Sequence, residues 1–151
     1  FNLKLDYLDT HLIGFFFNFN KKMKKNFIYL FVMFSSLIYA KDDNPIKHNI
    51  NVFAESRNDY ILKGTDKIGN IDGTDPELIF EVGSEIKFQV NAPGHPFYLK
   101  VEAGIGKKNQ IPEIENNGTA KGLIIWTPSK KGTYYYQCGK HKNMVGVIKI
   151  I

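Results

Sequence analysis

From Asn49 onward, apolar residues recur at every second position, and that period restricts the chain to folds built of strands. In Ser84–Asn91, Ile86, Phe88 and Val90 alternate with Glu85, Lys87 and Gln89. Phe97, Leu99 and Val101 alternate with Tyr98, Lys100 and Glu102, and Glu77–Val82 alternates too, although Ile79 breaks its pattern. Asn49–Ala54, Asp59–Lys63, Gly122–Thr127, Thr133–Cys138 and Val145–Ile151 complete the candidate strands. Gly83-Ser84, Ala92-Pro93-Gly94, Asn117-Gly118, Pro128-Ser129 and Lys131-Gly132 separate them as turn signals. No window has a helical period, and Ala103–Asn116 reads as a long loop. About eight short strands predict an antiparallel sandwich or small barrel, each sheet with one buried face and one wet face. Asn70–Asp75 and Asn117-Gly118-Thr119 read as turn chemistry, and His48 as a solvated residue ahead of the first strand.

The N-terminal portion has a different character. Met23 is followed by Lys24 and Lys25, then by an apolar run, Phe27–Tyr39, interrupted by Ser35 and Ser36, and then by the small residue Ala40. That is the pattern of a secretory signal peptide, and it is shorter than the roughly 20 apolar residues of a spanning helix. The expected organisation is upstream translated sequence over 1–22, a signal peptide over 23–40 and one domain over 41–151. The domain is expected in the periplasm or outside the cell, without stable membrane insertion. Residues 41–151 keep 15 basic and 13 acidic residues, a net charge of +2. So mild a charge does not make a nucleic-acid footprint.

Cys138 is the single cysteine, so no disulfide within the chain staples the fold. A free thiol in an oxidising compartment needs protection, which a bound metal supplies. Around it the sequence reads Tyr136-Gln137-Cys138-Gly139-Lys140-His141-Lys142-Asn143-Met144-Val145-Gly146, or Cys-x2-His-x2-Met between two strands. His95 lies upstream in Gly94-His95-Pro96-Phe97 and shares parity with the inward residues Phe97 and Leu99, as Cys138 does with Tyr134 and Tyr136. One thiolate, two imidazoles and a weak thioether suit a single copper ion of the type 1 kind. Zinc would leave Met144 unexplained.

With a His-bearing strand upstream, the Tyr-x-Cys-x2-His-x2-Met-x-Gly tail resembles the cupredoxins, and its short spacing is most similar to amicyanin-like ligand loops. The resemblance covers about residues 49–151 and is most specific over 132–148. It implies an eight-stranded Greek-key β-sandwich, one-electron transfer, His95 and His141 as imidazole ligands, Cys138 as thiolate ligand and Met144 as axial ligand. It also makes His141 the electron port. One departure matters. Cupredoxins often have Asn after the first His, with an N–H that bonds the Cys sulfur, whereas here Pro96 has no N–H. Amicyanin-like loops carry Pro two residues after the Cys, and here Lys140 keeps its N–H and is expected to supply the missing bond.

Two roles stay open: a diffusible electron carrier, and a protein for copper delivery, storage or resistance that uses the same ligands. Met144 as the only methionine of 41–151 argues against the second, since delivery sites are commonly Met-rich. An enzyme is not expected. Only His48, His95 and His141 follow the leader, too few for a multicopper oxidase, and Met144 fills the position an open copper enzyme leaves vacant. The expected partners are redox proteins, an acidic one suiting Lys140 and Lys142, and the expected state is a monomer.

Overall fold

Alternating strands need a second layer to cover their apolar faces, and here two sheets supply it to each other. The structure, a computed structural model, describes residues 44–151. The proposed upstream segment and signal peptide lie outside the described residues. Nine strands form: β1 (Lys47–Phe53), β2 (Ile61–Thr65), β3 (Asn70–Thr74), β4 (Leu78–Phe80), β5 (Glu85–Asn91), β6 (Phe97–Lys100), β7 (Lys121–Trp126), β8 (Gly132–Cys138) and β9 (Val145–Ile150). One sheet has the order β3-β2-β1-β5-β7 and the other β4-β9-β8-β6. Among the described residues, no helix is long and apolar enough to cross a membrane.

The inward residues are those that parity selects. Ile50 and Val52, Ile86, Phe88 and Val90, and Ile124 and Trp126 face Phe97 and Leu99, Tyr136 and Cys138, and Ile148 and Ile150 in one buried cluster. The all-β sandwich expected from the alternation is therefore present, but its sheets are mixed where antiparallel ones were expected: β1 pairs parallel with β5, and β4 with β9. Among the described residues the strand count is nine, where eight were expected. The added strand is β3, the Asn70–Thr74 stretch read above as turn chemistry, and it pairs antiparallel with β2 from Ile61↔Thr74 to Thr65↔Asn70. It buries little, so it has no apolar alternation to betray it. Its hairpin is fixed by Asp66, whose carboxylate accepts the N–H of Ile68 at 2.8 Å and Gly69 at 3.1 Å, and that of Ile79 at 2.8 Å.

Two further expectations are corrected. His48 is buried, not solvated: it shares parity with Ile50 and Val52, sits 4.9 Å from the Phe80 ring, and its Nδ1 lies 3.2 Å from the Thr65 carbonyl. A carbonyl only accepts, so the proton sits on Nδ1. The outward face of β6 is not wet either, because Tyr98 and Lys100 are both buried. The long loop after β6 folds back over that face. It also closes the edge of β6 with isolated bridges, Phe97↔Thr119 and Lys100↔Gln110. Asn117 acts there like a strand residue, accepting the Leu99 N–H at 2.8 Å and donating to the Leu99 carbonyl at 3.0 Å.

Beside the β2 entry, Asp75 accepts the Tyr60 N–H at 3.0 Å, and its own N–H donates to the Tyr60 carbonyl at 2.9 Å. Burial, aided by the nearby Asp59 carboxylate, pushes the Asp75 carboxyl up to about 6, although the Tyr60 N–H pulls the other way. A carboxyl raised above its ordinary value of 3.8 holds its proton more tightly in the folded than in the unfolded chain. Stability should therefore fall as pH rises through the window between those values and level off above it. Urea unfolding of the metal-free protein at several pH values should show this slope, and Asp75→Asn should flatten it. An unchanged slope in the variant would place the effect elsewhere.

Candidate metal centre

The Ala92-Pro93-Gly94 turn delivers the first candidate ligand. The His95 N–H returns to the Ala92 carbonyl at 2.9 Å, and Gly94 takes φ 83°, a conformation that disfavours any side chain. The chain then enters β6, which pairs with β8 in a register that sets Phe97 opposite Cys138 and Leu99 opposite Tyr136. Cys138 ends β8, and the segment after it returns as β9, with Gln137 opposite Val145. The loop is closed at its base by the Cys138 N–H on the Met144 carbonyl at 2.9 Å. It is tied to the His95 turn by the Gly139 N–H on the Pro96 carbonyl, also 2.9 Å.

This framework gathers three of the four residues chosen from the sequence. One donor atom each from His95, Cys138 and His141 lies within 4.8 Å of the others. The Cys138 Sγ is 3.5 Å from Nδ1 of His141, and the two imidazole rings are 4.9 Å apart. Met144, the fourth, is buried in the core cluster alongside Cys138. His95 Nδ1 is buried and has no hydrogen-bond partner. A buried polar nitrogen without a partner is costly, and a metal ion is the kind of partner that removes the cost. Burial, with His141 and Lys140 nearby, lowers the His95 pKa and favours the neutral imidazole that a metal requires. The residues present thus fit a thiolate-seeking, imidazole-tolerant ion.

No protein-family model matches the chain, and no curated protein matches it. Solved structures do. Crystal structures of rusticyanin variants share 18% identity over 74% of this chain and 84% of theirs, with a TM-score of 0.51. The chain has the cupredoxin fold. Reduced rusticyanin aligns at 19% identity over 75% of this chain and 87% of its own, TM-score 0.49. Native pseudoazurin from Hyphomicrobium denitrificans aligns at 20% over 69% and 74%, TM-score 0.41. Rusticyanin is described as a copper protein.

On this cupredoxin fold the Pro96 departure is compensated locally. The Lys140 N–H lies 3.5 Å from the Cys138 sulfur, as a donor to it. A donor there stabilises negative charge on sulfur, so Lys140→Pro should lower the reduction potential of the copper-loaded protein. Protein-film voltammetry would measure it, and an unchanged potential would remove Lys140 from the account.

Sequence reasoning assigned no role to three residues that shape the centre. Tyr60 is buried, and its hydroxyl donates to the His95 carbonyl at 3.0 Å and the Pro96 carbonyl at 3.1 Å. Burial, then the nearby Cys138, pushes the phenol pKa far above its ordinary range, so it stays a donor. Tyr60→Phe should cost about 1–2 kcal/mol, read by urea unfolding, because two carbonyls lose one buried donor. A variant as stable as the parent would deny Tyr60 this role. Gln137 and Lys100 are the other two. The only trace of Gln137 in the sequence is an amide on the outward parity beside Cys138, and Lys100 has none, since a lysine at an outward position looks solvated.

Proposed function

We propose that the chain is an exported one-electron carrier that holds a single copper ion through His95, Cys138 and His141, with Met144 as the axial ligand. The observation that carries this reading is the set of three donors already gathered, with a buried, unpartnered Nδ1 on His95. Bound there, copper would supply a one-electron couple between Cu(I) and Cu(II). The chain's own residues do the rest. Cys138 and Met144 are fully buried, which keeps water from the sulfur atoms. The Lys140 N–H and the Tyr60 hydroxyl fix the surroundings of the thiolate and of the His95 turn. A loop held by its own backbone bonds keeps the ligands in place whichever oxidation state is present.

His141 is partly exposed between two exposed lysines, Lys140 and Lys142, which supports reading it as the electron port with a basic rim for an acidic redox protein. Export rests on the Met23–Ala40 pattern. The test is competition against redox cycling. A carrier keeps its copper through repeated oxidation and reduction in the presence of a Cu(I) chelator and shows a reversible couple. Rapid loss of Cu(I) to the chelator would instead assign the protein to copper delivery or storage.

A further inference from the structure

The outer face of β6 and β8 carries a second, polar layer that reaches the ligand loop. Lys100 is 0% exposed, and its ammonium donates to the carbonyls of Gly104, Gly106 and Lys108 at 2.6, 2.7 and 2.9 Å. Three carbonyls converging on one buried cation wind the 101–110 loop around it. From that loop, the Gly106 N–H donates to the Gly139 carbonyl at 2.8 Å, and the Gly104 N–H donates to Oε1 of Gln137 at 3.3 Å. Gln137 is 1% exposed, and its Nε2 lies 3.0 Å from the His141 carbonyl, 3.2 Å from that of Lys142 and 3.1 Å from that of Met144. The amide orientation follows from its partners: carbonyls on one side require the NH2, and an N–H on the other requires the oxygen.

From this arrangement we infer that Gln137 and Lys100 are positioning residues that set the Gly139–Met144 loop in its ligand-presenting shape before any metal arrives. The Gln137 amide meets the carbonyls of residues 141, 142 and 144, two of them on candidate ligands, and the Gly106 N–H holds that of Gly139. The His141 and Lys142 carbonyls meet no backbone N–H of the loop, so the amide is what satisfies them. If the amide is removed, the His141 and Lys142 carbonyls turn to water and carry His141 with them, and the Met144 carbonyl keeps only the Cys138 N–H. The consequence for copper rests on the reading of these residues as ligands, but the loop order itself is a property of the metal-free protein and is tested there.

The experiment is backbone amide hydrogen exchange by NMR on the metal-free full chain, as wild type, Gln137→Met and Lys100→Met. In wild type, Gly106, Cys138, Gly139 and Val145 should be protected like strand residues. In Gln137→Met, exchange at Cys138, Gly139 and Val145 should accelerate about tenfold or more, with β1 and β5 nearly unchanged. Lys100→Met should accelerate Gly106 and Gly139. Unprotected loop amides in wild type would overturn the inference, and that result needs no variant to fold. So would a Gln137→Met loop that exchanges at the wild-type rate, or acceleration equal to that in β1 and β5. Should the copper reading fail, wild type would bind no copper while the exchange pattern stood. Should this inference fail, copper would bind to a loop that was mobile beforehand.

Discussion

Cys138→Ser is expected to abolish the intense thiolate-to-copper absorption outright and to remove most of the copper affinity. On the proposed reading the thiolate is the one soft anionic ligand of the set, and a serine hydroxyl near neutral pH offers neither the charge nor the covalency. Fold stability should change little by comparison, since Ser is close to Cys in volume and the backbone bonds around the site do not involve the sulfur, apart from the 3.5 Å contact from Lys140. Absorption spectra and a copper-binding titration on the same samples separate the two effects. A coloured Cys138→Ser variant would show that copper sits elsewhere. A colourless but unfolded one is recognised by circular dichroism, and His141→Gly or His95→Gly then carries the comparison. Met144→Ala should keep the colour and shift the potential, because the thioether would be the weakest of the proposed ligands.

The second large effect concerns stability. Gly146 pairs with Tyr136 across β8 and β9, and a Cβ built at Gly146 would collide with the Tyr136 ring and hydroxyl. Tyr136 has little room to yield. It is fully buried, stacks on Phe97 at 5.5 Å and donates its hydroxyl to the Pro76 carbonyl at 2.7 Å. Gly146→Ala should therefore cost about 3 kcal/mol, from overpacking together with a weakened buried hydrogen bond. That is a large part of the roughly 5–15 kcal/mol that keeps such a domain folded. For a domain of this size the melting temperature should fall by about 12 °C or more. Tyr136→Leu loses the hydroxyl bond and some buried area. In the double variant Gly146→Ala should cost much less, because the ring it strikes is gone. Equal costs of Gly146→Ala with and without Tyr136 would refute the contact. This pairing gives the glycine two residues after Met144 a steric role that spacing alone did not assign.

Sequence and structure agree where a residue's surroundings follow from its neighbours along the chain. The inward stripes of β1, β5, β7 and β9 were legible because each strand buries one face against the opposite sheet, so parity alone separates Ile86, Phe88 and Val90 from Lys87 and Gln89. The site was legible for a chemical reason: a lone Cys, two His and a Met serve few purposes together, and inward parity aimed His95 and Cys138 at the same pole. Contacts made from far along the chain were not legible. His48 is covered by Phe80, and Lys100 by a loop whose carbonyls happen to converge on it. Residues 70–74 form a strand because β2 offers an edge and Asp66 fixes the turn, with too little apolar surface to leave a period. Gln137 sat in plain view beside Cys138, but three carbonyls folding back toward its amide is a property of the loop's shape, which no spacing encodes.

His95, Cys138, His141 and Met144 are proposed to hold one copper ion as a type 1 site. The visible absorption spectrum of the wild-type protein, titrated with Cu(II) after its thiol has been shown to be reduced, tests it most directly. An intense thiolate-to-copper band should grow to one equivalent, bleach on one-electron reduction and return on oxidation. One equivalent of copper bound with Cys138 reduced and no such band would contradict it.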